Sequence, residues 1–360
     1  VSPDWQRLRA VVLESDDWGL CAWVPDAGAH EALAAQPAFR TAAGRRYGRS
    51  TLESAADVEA LVALLLDFRG ADGRPPVWQA NTIVAAPDFA RLVPPGFETD
   101  ALPVTGLDAL SPRWRRPGLL EAWAAAERAG AWRAELHGLH HLPEAAWLAA
   151  LRRGEPDALA ALAQQSPICA AVEASGEYDA REPREARART LREALARFTA
   201  LFGRAPASFC PPDYRFDDWL EIEAESLGLS TLQGRFERDG AGVLGAVRRR
   251  LAAPRFPART GGRFHLPPRI AFEPRGEAAG GGRVGIDAAH RAVRAAWAAG
   301  RPAVLSSHRL NYAHLDAEWS EAGRAALREL LGRLCEDGAV FRTDSEVRAL
   351  VEGVTIRRPE

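Results

Sequence analysis

The sequence predicts an α/β fold of βα units around a mostly parallel sheet, of the (β/α)-barrel kind. Three observations carry that expectation. Short apolar, β-rich runs alternate with longer segments of helical periodicity. The chain has 360 residues, long for one simple domain but ordinary for a barrel with insertions. Polar residues suited to chemistry also recur at the ends of the strand candidates, and the parallel strands of a barrel all end on one face.

In chain order, strands are expected at 9–14, 77–84, 132–136, 168–173, 207–210, 230–233, 264–270, 303–306 and 340–342. Helical spacing predicts helices over 55–68, 118–129, 144–153, 184–202, 287–299 and 318–336. The Arg- and Glu-rich helix at 184–202 reads as a solvated amphipathic element. One region breaks the rhythm. From 234 to 285 the composition shifts to Gly, Pro and Arg and ends in Gly280-Gly281-Gly282, which predicts an irregular insertion or a loop over the site. With no internal repeat and no linker, residues 1–360 read as a single domain.

Composition narrows the function classes. Hydrophobic residues make up 47% of the chain and the formal net charge is −2, so no nucleic-acid or anionic-membrane surface is indicated. Every one of the 46 basic residues is arginine and methionine is absent, a bias expected of a GC-rich bacterial genome. Without lysine, Schiff-base and P-loop chemistry are excluded. Cys21, Cys169, Cys210 and Cys335 are scattered and form no CxxC pair, which argues against a cysteine zinc site or a disulfide framework. No signal-peptide pattern opens the given chain, and no apolar stretch reaches the ~18 residues of a membrane span. The expectation is a cytoplasmic protein without membrane insertion.

Four strand ends carry the chemistry. Asp16-Asp17 follow the first strand, His137-Gly138-Leu139-His140-His141 the third, Cys210-Pro211-Pro212-Asp213 the fifth, and Ser306-Ser307-His308 the eighth. His137 and His141 are four apart, which places both imidazoles on one side of a turn. Two histidines and a carboxylate make a common catalytic metal site with open positions, and zinc suits such ligands. One of the adjacent aspartates would then ligate the metal, while the other takes a proton from the bound water. His308 would protonate the leaving group. That is metal-assisted hydrolysis of an acyl bond.

These segments resemble successive motifs of the NodB-type polysaccharide deacetylases across roughly residues 9–345. More narrowly, ESDDWG, QANTIVAAPDF, ELHGLHH, FEP and SSHRLNY are similar to a bacterial branch of that family. The resemblance implies a distorted (β/α) barrel of the glycoside hydrolase/deacetylase type, a divalent metal and removal of an acetyl group from a sugar in glycan biosynthesis. It also implies roles: Asp16 as base, Asp17, His137 and His141 as metal ligands, His308 as acid, and a backbone N–H near Asp213 or Tyr214 as the oxyanion contact. The chain departs from the family pattern in three places. Trp18 intervenes before Gly19, Tyr214 replaces a glycine, and Cys210 stands where an arginine usually orients the base. Arg215 and Arg269 are the candidates to replace that guanidinium.

Simpler readings stand beside these. The aspartate pair would serve as a helix cap, and Cys210 as a small buried hydrophobe. Trp18, Trp78 and Trp219 would either stack on sugar rings or fill the core. Asn81 is either a substrate hydrogen-bond donor or a turn residue, and Glu273, Asn311 and Tyr312 would shape the pocket. His30, His265, His290 and His314 read as structural. Rival functions are another non-peptide C–N hydrolase, such as a deformylase, and a carbohydrate-binding barrel without catalysis. A metal-free glycosidase would leave the two histidines unexplained.

Overall fold

The computed structural model describes residues 3–93, 96–173, 176–215, 217–234, 256–275 and 285–354. Its strands, in chain order, are β1 (Ala10–Trp18), β2 (Trp78–Ile83), β3 (Ala85–Pro87), β4 (Val104–Gly106), β5 (Trp132–Gly138), β6 (Thr231–Leu232), β7 (Ala258–Thr260), β8 (Arg263–His265), β9 (Ile270–Ala271), β10 (Ala303–His308) and β11 (Val340–Phe341). A mostly parallel sheet runs β5-β2-β1-β10-β9, with β11 also paired to β1. The parallel course continues beyond β5. Phe209 bridges Leu136 on one side and Leu232 on the other, and β6 pairs with β8. The stretch 263–271 thus pairs with β6 at its start and with β10 at its end. Among the described residues only β3–β4 and β7–β8 are antiparallel. The fold is mixed α/β around this sheet.

β1 lies between β2 and β10, and every residue from Ala10 to Asp16 is buried. A strand covered on both faces is selected for continuous apolarity rather than alternation, which is why Ala10-Val11-Val12-Leu13 opens it. Each of the three larger side chains, Val11, Val12 and Leu13, contributes about 1.5–3 kcal/mol on burial. Helices follow the strands much as their spacing predicts. The helix Arg184–Phe202 has the expected bounds, and Ala55–Leu66 starts at a capping box between Ser54 and Asp57.

Two strand expectations fail. Residues 168–173 carry the short helix Ala170–Glu173; Ile168, Cys169 and Val172 are the buried positions, a helical spacing that β-branched content alone hides. The segment 207–210 contributes a single bridging residue, Phe209. Of the expected insertion, 235–255 and 276–284 lie outside the described residues, whereas 256–275 carries β7, β8, β9 and Arg269. No helix among the described residues is long and apolar enough to cross a membrane.

Candidate active site

Two β-bulges bring the carboxylate and first histidine to one place. Along β1, Ser15 faces Ala80 and Trp18 faces Thr82, so β1 has one residue more than β2 over that interval. Within it Asp17 has φ +75°, a left-handed conformation uncommon outside glycine. Simple alternation would send Asp16 and Asp17 to opposite faces; the bulge re-aims Asp17. Along β5 the same device recurs, because Thr82 faces Leu136 while Ile83 faces Gly138, and His137 is the extra residue. His141, at φ +68°, completes the group.

The Nε2 atoms of His137 and His141 lie 3.5 and 3.6 Å from Asp17 Oδ1. That is long for a hydrogen bond, but donors sharing a four-coordinate ion with bonds of about 2.0–2.1 Å stand roughly 3.3 Å apart. His137 Nδ1 donates to the Cys210 carbonyl at 2.6 Å, which leaves Nε2 as the lone-pair nitrogen, as in histidine ligands held by a backbone carbonyl. Burial opposes ionisation of Asp17, but His137, His141 and His308 around it hold its carboxyl well below the usual range. These three residues therefore fit a divalent cation. Asp16, His137 and Cys210 also lie close enough to form a metal-binding group. That second set fits less well, because both Asp16 oxygens and the Cys210 sulfur already accept from Arg269.

The loop carrying His141 is fastened by a residue that sequence reading missed. The Glu177 carboxylate accepts from the backbone N–H groups of Leu139, His140 and His141 at 2.8, 3.2 and 2.5 Å. Gly138 is required beside it, since a Cβ there would come within 2.8 Å of Glu177 Oε2. His140 is buried between Glu144 and Glu177, and its Nδ1 accepts from Leu142 N–H. It belongs to the scaffold.

Asp16 is held off the donor group by four contacts. Asn81 Nδ2 donates to Oδ1 at 2.6 Å, the Tyr214 hydroxyl to Oδ2 at 2.7 Å, and Arg269 Nη2 to both oxygens at 2.9 and 3.0 Å. Burial disfavours this charge, yet the Arg269 guanidinium, with His137 and His308, holds the carboxyl well below its ordinary value. The guanidinium thus comes from Arg269, not from Arg215, which pairs with Asp179. Cys210 explains how. Its small thiol accepts from Arg269 Nη1 at 3.4 Å, and an arginine side chain at 210 would occupy the same buried space. Behind Asp16, Arg269 Nε reaches Glu14 Oε2 at 2.7 Å, while Asn81 continues through Gln233 to Asp344. Burial, then Asp344, pushes Glu14 well above its ordinary value, the opposite direction from Asp16 on the same guanidinium.

His308 faces Asp16 across the β1–β10 pair, with Nε2 3.9 Å from Asp16 Oδ2 and 3.5 Å from the Tyr214 hydroxyl. Its Nδ1 is hydrogen-bonded to Glu273, which is in turn held by Asn311 Nδ2 and Arg46 Nη2 at 2.7 and 2.9 Å. Burial alone would lower the imidazole's pKa; the Glu273 carboxylate overrides it and raises it.

Two expected substrate contacts are displaced. Trp18 is fully buried, edge-on to Trp132, with its indole N–H on Ser15 Oγ, so it packs the core. The Tyr214 N–H already donates to the Pro211 carbonyl at 3.0 Å and is not free for an oxyanion. Its phenol, not its backbone, reaches the site. Asp213, with φ +55°, lies 3.6 Å from Arg215 Nε and shapes that turn. Trp78 packs on Tyr312, and Trp219 lies under Arg187.

No family model matches the sequence, and no curated protein matches it. Among solved structures the chain is similar to a Mycobacterium smegmatis protein assigned as a polysaccharide deacetylase. Identity is 14%, 98% of this chain and 94% of that chain are covered, and the TM-score is 0.48. It is also similar to the 4-alpha-glucanotransferase of Thermococcus litoralis, at 9% identity over 94% of this chain and 40% of that chain, with a TM-score of 0.47.

Proposed function

We propose that this chain is a metal-dependent carbohydrate deacetylase that hydrolyses the acetyl group of an N-acetylated, or O-acetylated, sugar. One observation carries the reading. Two adjacent aspartates are separated into different environments: Asp17 joins two histidines, while Asp16 is kept apart, ionised, and opposite His308. The pairing of 263–271 with both β6 and β10 supports a distorted barrel that presents these groups at its strand ends.

Asp17, His137 and His141 would hold the ion. When bound, a divalent cation such as zinc polarises an acyl oxygen and lowers the pKa of water from about 15.7 toward about 7. Asp16 takes a proton from the attacking water as the new C–O bond forms at the acyl carbon. His308 gives its Nε2 proton to the sugar nitrogen or oxygen as the C–N or C–O bond breaks. Glu273 holds the imidazolium for that transfer, and Arg269, Asn81 and Tyr214 fix the direction of the base. Acetate and the free amine or alcohol leave, and the proton on Asp16 returns to His308 through solvent.

Acetate release from N-acetylated glucosamine oligomers tests this directly. It is expected with the metal-loaded protein, to be abolished by chelation and restored by added zinc. Formate release from the N-formyl analogues without acetate release would favour the deformylase-type alternative. Sugar binding with no acyl release from either series would favour a binding barrel.

The His308–Glu273 pair adds a pH prediction. His308 acts protonated, so activity falls as pH rises through its pKa, which Glu273 raises. In Glu273→Gln that pKa drops, and the alkaline limb of kcat/KM should move to lower pH by about one unit or more. A pH–rate profile of the two proteins checks it; an unmoved limb would remove His308 from the acid role.

A further inference from the structure

A solvent-open cleft of about 320 Å³ lies beside the candidate active site, lined by the exposed Arg45 and Arg49 and by Arg46, His314, Asp316 and Trp319. Three guanidiniums share this lining with a single carboxylate. That carboxylate is already engaged, because Asp316 Oδ1 caps the helix Ala317–Glu336 by accepting from Glu318 N–H. Among the described residues neither Arg45 nor Arg49 forms an ion pair; Arg45 donates only to the Arg40 carbonyl. A fourth guanidinium, Arg275, lies 4.8 Å over the Trp319 ring. Clustered cations repel unless an anion joins them.

His314 fits the same character. Its Nδ1 accepts from the Asp316 backbone N–H, so the neutral ring carries its proton on Nε2 and is a donor. Burial, and then Arg49, pushes its pKa down to about 4, so it adds a hydrogen-bond donor without further charge.

The cavity also touches the catalytic apparatus. Arg46 lines it and places Nη2 2.9 Å from Glu273 Oε2, and Glu273 is the partner of His308. The same guanidinium lies over Tyr47, whose ring meets His308 edge-on. The cavity and the proton donor are thus one side chain apart.

We propose that this cavity holds a phosphoryl group carried by the acylated sugar, so that the substrate class is a sugar phosphate or a phosphate-linked sugar rather than a neutral glycan. The proposal rests on the deacetylase reading for the acyl group, but the cavity chemistry is independent of it. Guanidinium forks match phosphate oxygens bidentately, and a phosphate monoester brings nearly two charges and three acceptor oxygens. That suits several arginines better than a lone carboxylate would. The volume exceeds what one oxyanion needs and leaves space for the group attached to it.

Two measurements test it separately from the acyl chemistry. Calorimetric titration with inorganic pyrophosphate compares the wild-type protein, Arg45→Ala/Arg49→Ala, and Arg128→Ala/Arg328→Ala as a control with the same loss of charge elsewhere on the surface. Equal metal content keeps any phosphate bound to the ion common to all three. Affinity is expected to fall about 10–100-fold in the double variant and to stay within about twofold in the control. In kinetics, kcat/KM for N-acetylglucosamine 1-phosphate, its 6-phosphate or the nucleotide-linked sugar should exceed that of the neutral sugar by about tenfold or more. That advantage should vanish in the double variant. Pyrophosphate binding that is absent, or the same in all three proteins, overturns the cavity assignment even if acetate is released. Arginine-dependent pyrophosphate binding without acyl release upholds the anion site and sinks the deacetylase reading instead.

Discussion

Replacing His137 with alanine is expected to cost the protein its metal. Purified wild-type protein should carry about one equivalent of zinc or a similar divalent ion, and the variant close to none by elemental analysis. The expectation follows from the geometry of Asp17, His137 and His141. Losing one of three donors leaves two, and His137 is also the donor whose tautomer is set, by the Cys210 carbonyl. Acetate release should fall with the metal. The truncation leaves a buried void and removes the donor to the Cys210 carbonyl, with a stability cost of about 1–3 kcal/mol, so a far-UV spectrum must accompany the assay. Metal-free wild-type protein that takes up no ion on titration would end the reading.

Asp16→Asn should do the opposite: keep the metal and lose turnover. Removal of a positioned general base costs about 10²–10⁴-fold in rate. The amide is nearly isosteric, but it cannot accept a proton from water. Arg269 would keep its 2.7 Å contact with Glu14, so the guanidinium stays anchored in place. If the substitution strips the metal while Asp17→Asn does not, the roles of the two aspartates are reversed. A fully active Asp16→Asn variant would remove the base from the proposed mechanism altogether.

Much of the fold is legible because it is written locally. The helix at 184–202 follows from its own 3.6-residue period, and the buried strand Ala10–Trp18 begins where its apolar run begins. The candidate ligands are legible for a similar reason. Asp16-Asp17, His137…His141 and His308 are reactive residue types at the ends of apolar runs, and parallel pairing brings such ends together.

The supporting groups are another matter. Glu273 is legible only as a pocket residue, not as the partner of His308, and Glu177 lies in a segment whose local pattern has no periodicity to mark it. Glu177 is 36–38 residues from the backbone it fastens. The bulges that turn Asp17 and His137 inward exist only as a mismatch between two strands, so neither strand displays them alone. Trp18 admits two readings from sequence, a sugar platform or a core ring, and its edge-on contact with Trp132 puts it in the core.

The residue types able to hold a cation and exchange protons, and the strand ends that carry them, are therefore properties of the chain by itself. Which guanidinium faces Asp16 is not. Arg269 is 253 residues away, and a separation that long is bridged by strand pairing and by the room a small Cys210 leaves, both of which arise only when the sheet is assembled.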